Sequence, residues 1–168
     1  MSATEDAVDQ HIQRWLPVVP DLDSDIEGAV TRMIRLTRHL RAVKERVLAD
    51  FDLPRHEYET LHALAGRRGR AAPSDLAADL SVAPASITAR VDTLLARGFV
   101  RRIPSTVDRR RVDVELTDAG MDAWRAAMQI QGDEEHRLFG ALTPDERRVL
   151  TDLLRRVLLV AEQPAEAP

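Results

Sequence analysis

With 168 residues, 44% of them apolar and 31% charged, the chain can bury one core and is too apolar to be disordered. It has no cysteine, which excludes disulfides, thiolate metal sites and thiol switches. Its net charge of −4 hides a segregation: Ala83 to Arg111 hold seven arginines against Asp92 and Asp108, so the other 139 residues carry −9.

A basic island in an acidic chain is the footprint of a polyanionic partner that is admitted at one face and repelled elsewhere. No apolar run approaches the roughly 20 residues that cross a bilayer. The start, MSATEDAVDQ, lacks the apolar core of a signal peptide. A cytoplasmic protein without a membrane partner is therefore expected. The five histidines are scattered, so neither a metal nor a cofactor is expected.

Along the chain, Val8, Ile12, Trp15 and Leu16 mark one side of a short amphipathic helix, broken by Pro17 and Pro20. Ser24 to Glu27 has the spacing of a capping box. Met33, Leu36, Leu40, Val43 and Val47 then alternate in steps of three and four, an a/d stripe on a long helix. Pro54 opens the next helix, with Tyr58, Leu61, Leu64 and Ala65 before Gly66. Arg67 to Arg70 reads as a polar loop. Two short helices follow near 74–80 and 84–97, with Leu76, Ala77 and Leu80, then Ile87, Val91 and Leu94, as inner faces. Gly98 suits a left-handed cap.

Phe99–Ile103 and Val112–Leu116 are predicted strands, the second from its strict alternation. Their connection, Pro104 to Arg111, is polar and arginine-rich. Thr117 is placed to cap a helix bearing Met121, Trp124, Met128 and Leu138, which Gly140 ends. Thr143-Pro-Asp-Glu146 is a second capping box. The last helix carries Leu150, Leu153, Val157 and Val160.

The fold class expected is mainly α: a winged helix-turn-helix, a two-stranded β-hairpin wing and a helical dimerisation region. Two short helices joined by a tight turn send the second into the major groove of DNA. An arginine-tipped hairpin reaches the minor groove or phosphates. On the second helix Ala85, Ala89 and Asp92 oppose the inner face, with Ser86 and Thr88 at the flanks. Small side chains there permit close approach to base edges, and the hydroxyls can bond bases or phosphates. The rival reading is a helical interaction module that uses its basic wing on an acidic protein. An enzyme is not expected, because no glycine-rich phosphate loop, His-Glu-x-x-His pattern or serine elbow is present. His56, Glu59 and His62 could be forced into a metal site, but such residues are common on exposed helices.

From about residue 26 to 160 the sequence resembles the MarR family of winged-helix regulators. The resemblance is carried by Leu76-Ala-Ala-Asp-Leu80, by Val91-Asp-Thr-Leu94 with Arg97-Gly-Phe-Val100, and most specifically by Asp108-Arg-Arg110 with Val114-Glu-Leu116-Thr117-Asp-Ala-Gly120. Ala83 departs from the serine that often caps the recognition helix, and Pro84 offsets the loss with a φ already helical.

The resemblance implies that Arg109 and Arg110 are the wing arginines and that Asp108 orients one of them; Arg111, beside them at the DNA face, is read as a solvated or phosphate-neighbouring charge. Arg97 and Arg101 are read as solvated or phosphate-neighbouring charges. It also implies a homodimer on a pseudo-palindromic operator. The organisation expected is a 1–23 extension, a dimerisation region from 24–53 and 118–161, a DNA-binding domain at 54–117, and a disordered 162–168 tail.

The extension ending Trp15 to Asp23 looks like the urate-responsive branch of that family, the PecS and HucR type. That likeness implies an effector site of Trp15, Glu59, Arg90 and Arg102, with twelve residues between the two arginines. Glu59 stands where the branch has aspartate. Such a site suits a small anionic aromatic effector, urate or a phenolic ligand, that releases DNA.

Overall fold

The computed structural model describes residues 5–105 and 112–163. Chain contacts divide it into two units, residues 1–131 and 132–168.

The first unit opens with helix α1 (Ala7–Trp15), capped by Asp6, whose carboxylate accepts from the Val8 and Asp9 amides. Val8 and Ile12 bury against α2 (Ser24–Asp50). They meet it at Gly28, where an added Cβ would lie 3.4 Å from Ile12 Cδ1. Arg32 of α2 donates to Asp6 at 2.9 Å and to Asp9 at 2.6 Å, and with the Val8 amide it holds the Asp6 carboxyl down to about 2. Trp15 and Leu16 do not join the buried side; they are 47% and 39% exposed. Val8 and Ile12 are the buried residues of this helix.

Asp23, not Ser24, caps α2, because its carboxylate accepts from two amides, Asp25 and Ile26, at 3.0 Å each. Glu27 instead bonds Thr31 and His11. Of the stripe on α2 only Val43 and Val47 are buried, with Leu48 beside them. Ile26, Val30, Ile34 and Leu36 are exposed.

The core of this unit gathers α3 (Arg55–Gly66), α4 (Pro73–Asp79) and α5 (Pro84–Ala96) around Leu61, Leu64, Leu76, Ile87 and Leu94, each no more than 1% exposed. The turn from α4 to α5 passes through Ser81 at φ 51°.

A sheet of three antiparallel strands closes the core, in the order β1 (Arg70–Ala71), β3 (Val112–Leu116), β2 (Val100–Pro104). The hairpin therefore has two strands, as expected, and gains a third from the supposed loop. Two residues are too few to show alternation, but Arg70 and Ala71 pair with Glu115 and Val114. Gly98 adopts φ +71° as α5 turns into β2. Thr117 then joins both ends of the sheet: its hydroxyl donates to the Gly98 carbonyl at 2.7 Å and accepts from the Gly120 amide at 3.1 Å. This caps α6 (Asp118–Phe139), which buries Ala127 and leans Met121 and Trp124 on the core.

The second unit holds the end of α6 and α7 (Pro144–Ala161). Thr143 and Glu146 form the expected capping box on α7. No residue of α7 is buried; Leu153, Leu154, Val157 and Leu158 are 41–58% exposed. The tail residues 164–168 lie outside the described residues. Among the described residues no helix is long and apolar enough to cross a membrane, and no three His, Asp or Glu side chains gather as a metal site.

Candidate nucleic-acid interface

Helix α5 presents two unlike faces. Ile87, Val91 and Leu94 are at most 2% exposed, and this anchoring fixes the helix's rotation. The opposite row, Ala85, Ala89, Asp92 and Ala96, is exposed. Thr88 is exposed beside that row, its hydroxyl donating to the Pro84 carbonyl at 3.1 Å, which leaves its lone pairs outward. Ser86 is half-buried. The helix starts at Pro84 with no side-chain cap from Ala83; the Ser86 and Ile87 amides donate to the Ala83 carbonyl at 2.9 and 3.2 Å.

Helix α3 holds α5 through two carboxylates. Glu57, 2% exposed, accepts from Arg97 Nη1 at 2.6 Å. The Arg97 guanidinium also lies 4.7 Å from the Phe99 ring. Two residues on, Glu59 accepts from Arg55 at 2.8 Å and lies 3.6 Å from Arg90 Nη1. The Arg55 hydrogen bond, with smaller help from the Arg90 and Lys44 charges, draws the Glu59 carboxyl below its ordinary range. Arg90 Nη1 is buried and makes no hydrogen bond.

The basic island is largely cancelled at its root. Arg97 is paired with Glu57 rather than solvated. Arg101 donates to Glu115, its cross-strand partner, at 2.6 Å, and so is not a free charge either. Arg102 donates to Asp92 at 2.8 Å. Three of the four carboxylates, Glu57, Glu59 and Glu115, lie outside the Ala83–Arg111 stretch, and folding brings them in. The remaining arginines of the stretch, Arg109, Arg110 and Arg111, lie with Asp108 outside the described residues.

Of the four expected effector residues, the structure brings Glu59 and Arg90 together. Arg102 pairs with Asp92 on the outer side of α5, and Trp15 packs its ring 6.1 Å from that of His11.

Sequence reasoning missed Glu57, whose only signal was an acid within an otherwise inward stretch. It also missed Arg70, which donates to Asp113 and to the Pro104 carbonyl, each at 2.9 Å, and so braces the wing's base.

A three-helix core carrying a helix-turn-helix and an antiparallel wing sheet is a winged helix-turn-helix, a fold that presents one helix to DNA. The MarR family model matches residues 53–112. The transcriptional regulator PecS of Dickeya dadantii is 28% identical over 87% of this chain and 89% of its own. The multiple antibiotic resistance protein MarR of Escherichia coli is 30% identical over 80% of this chain and 96% of its own. A crystal structure of a mutant E. coli MarR complexed with operator DNA superposes at a TM-score of 0.58 and 26% identity, covering 86% of this chain and 97% of that one. The chain belongs to the MarR family: it is a DNA-binding transcriptional regulator, not an enzyme.

Proposed function

We propose that the chain is a homodimeric repressor that binds a pseudo-palindromic operator and is released by a small anionic aromatic effector. The exposed row of α5 carries the reading: with three alanines and no long side chain but Asp92, it can press against base edges. Ala85, Ser86, Thr88 and Ala89 meet the major groove. Arg109 and Arg110 on the wing meet the minor groove or phosphates, Asp108 orients one of them, and Arg111 adds backbone contact.

A gel shift on the intergenic duplex beside its own gene tests this. Arg110→Ala is expected to weaken binding about tenfold and to lower the slope of log affinity against log salt by about one. Wild-type protein that ignores that duplex, or binds every duplex alike, would sink the operator reading.

The effector reading rests on Arg90, whose buried Nη1 lacks a hydrogen-bond acceptor beside Glu59. A ligand anion that supplies one would draw on the helix that reads DNA, so two sites share one movable element. Trp15 and Arg102 complete the proposed site only if they swing from their present partners. Urate or a phenolic acid should lift the shift in wild type but not in Arg90→Ala. Binding unchanged at saturating amounts of both removes the effector reading alone.

Dimerisation is assigned to residues 24–53 and 118–161, flanking the DNA-binding domain at 54–117. It is supported by the bare apolar residues of α7, at Leu153, Leu154, Val157 and Leu158, and of α2, at Ile26, Val30 and Ile34. Apolar surface of this extent on one chain calls for a second copy. Two-fold pairing sets two recognition helices about 34 Å apart, one DNA turn. Leu154→Glu with Leu158→Glu is expected to give monomers in sedimentation and to abolish operator binding at nanomolar protein. A dimer that survives both charges would place the interface elsewhere.

A further inference from the structure

We propose that Arg102 serves DNA binding as the mask of Asp92, cancelling the charge of the one carboxylate in the outer row of α5. This rests on the reading above, in which the outer row of α5 faces the operator. Helix α5 carries one acid, Asp92. It shares the exposed row with Ala85, Ala89 and Ala96, at steps of four, three and four residues, so it projects with them. Its side chain is 57% exposed. A bare carboxylate in that row would meet the phosphates of both groove walls, and like charge set face to face across an interface is strongly unfavourable.

Arg102 stands on β2, opposite Val114 of β3. Its Nη2 donates to Asp92 Oδ1 at 2.8 Å, crossing from sheet to helix. Both partners are more than half exposed, so the pair adds little to the stability of the free protein. Its effect appears when the polyanion arrives. Arg102 then cancels the repulsion and fixes Asp92 at the edge of the row, so it is a positioning residue that acts through Asp92. A phosphate-binding arginine would act alone, and that difference can be measured.

The test is a double-mutant cycle on the full-length protein, read by fluorescence anisotropy on the same intergenic duplex across a salt series. The variants are Arg102→Ala, Asp92→Asn and the two combined, with Arg102→Gln as a second way of removing the charge. The mask predicts that Arg102→Ala and Arg102→Gln each bind about tenfold more weakly. Asp92→Asn should bind a few-fold tighter, since Arg102 is then left without its acid. The double variant should match Asp92→Asn in affinity and in salt slope. Melting temperatures within about 2 °C of wild type are expected throughout, since an exposed pair is at stake.

If Arg102→Ala costs the same factor with Asn at position 92, and the salt slope falls by about one in both backgrounds, Arg102 touches phosphate and the mask is overturned. Wild-type affinity in Arg102→Ala and Arg102→Gln overturns it as well. In either case wild type still binds the duplex, which separates failure of the mask from failure of the operator reading.

Discussion

Gly120→Ala is expected to lower the melting temperature of the free protein by about 6–12 °C, equivalent to about 3 kcal/mol for a chain of this size. A Cβ at position 120 would lie 2.0 Å from the Phe99 carbonyl oxygen and 2.8 Å from its carbon. The obstacle is backbone, so no rotamer clears it. Nor can Phe99 retreat without cost: its amide donates to the Leu94 carbonyl at 2.9 Å, and its carbonyl accepts from the Thr117 amide at 3.1 Å. Moving it loosens the end of α5, the start of β2 and the cap of α6 together.

The control is Gly132→Ala, in the same helix with nothing within 4 Å of the new Cβ. That change should be neutral or raise stability by up to about 1 kcal/mol, because alanine has the higher helix propensity. Equal melting temperatures for the two variants would mean that Phe99 and Gly120 are not packed as described.

Gly120 shows what a sequence can carry. Leu116-Thr117 followed by Gly120 is a local pattern, and its reason is local too: a cap, then an absent Cβ beneath the Phe99 carbonyl just before β2. The inner faces of α4 and α5 were legible in the same way, since Leu76, Ile87, Val91 and Leu94 repeat at helical spacing and are all buried. So was β3, by alternation. β1 was not, because its two residues become a strand only through pairing with β3.

The charges were the least legible part. Arg97 and Glu57 are 40 residues apart, and Arg101 and Glu115 are 14 apart. No window along the chain pairs them. Summing charge over a stretch therefore overstated the positive potential at the root of the wing. For the same reason the proposed effector residues came only half together: the twelve-residue spacing of Arg90 and Arg102 is satisfied, yet Arg102 finds a nearer acid on α5.

Removing the Arg97 side chain should be the costliest single loss of an ion pair in the described chain. Arg97→Ala leaves the Glu57 carboxylate buried at 2% exposure with its 2.6 Å donor gone. Breaking a buried pair from one side costs about 3–5 kcal/mol, mostly the penalty of the stranded charge. The low end applies, because Arg97 is itself 26% exposed and water can enter where it stood. The Phe99 ring also loses its cation, worth about 0.5–1 kcal/mol at a partly exposed site.

One further substitution, read by urea unfolding, separates a stranded charge from lost packing. Adding Glu57→Gln to Arg97→Ala should recover about half the loss or more, which a simple cavity could not explain. A deficit that ignores the second substitution would assign Arg97 to packing alone. Recovery would mean that α5 is held at its C-terminal end by charge, so its orientation depends on an acid buried in α3.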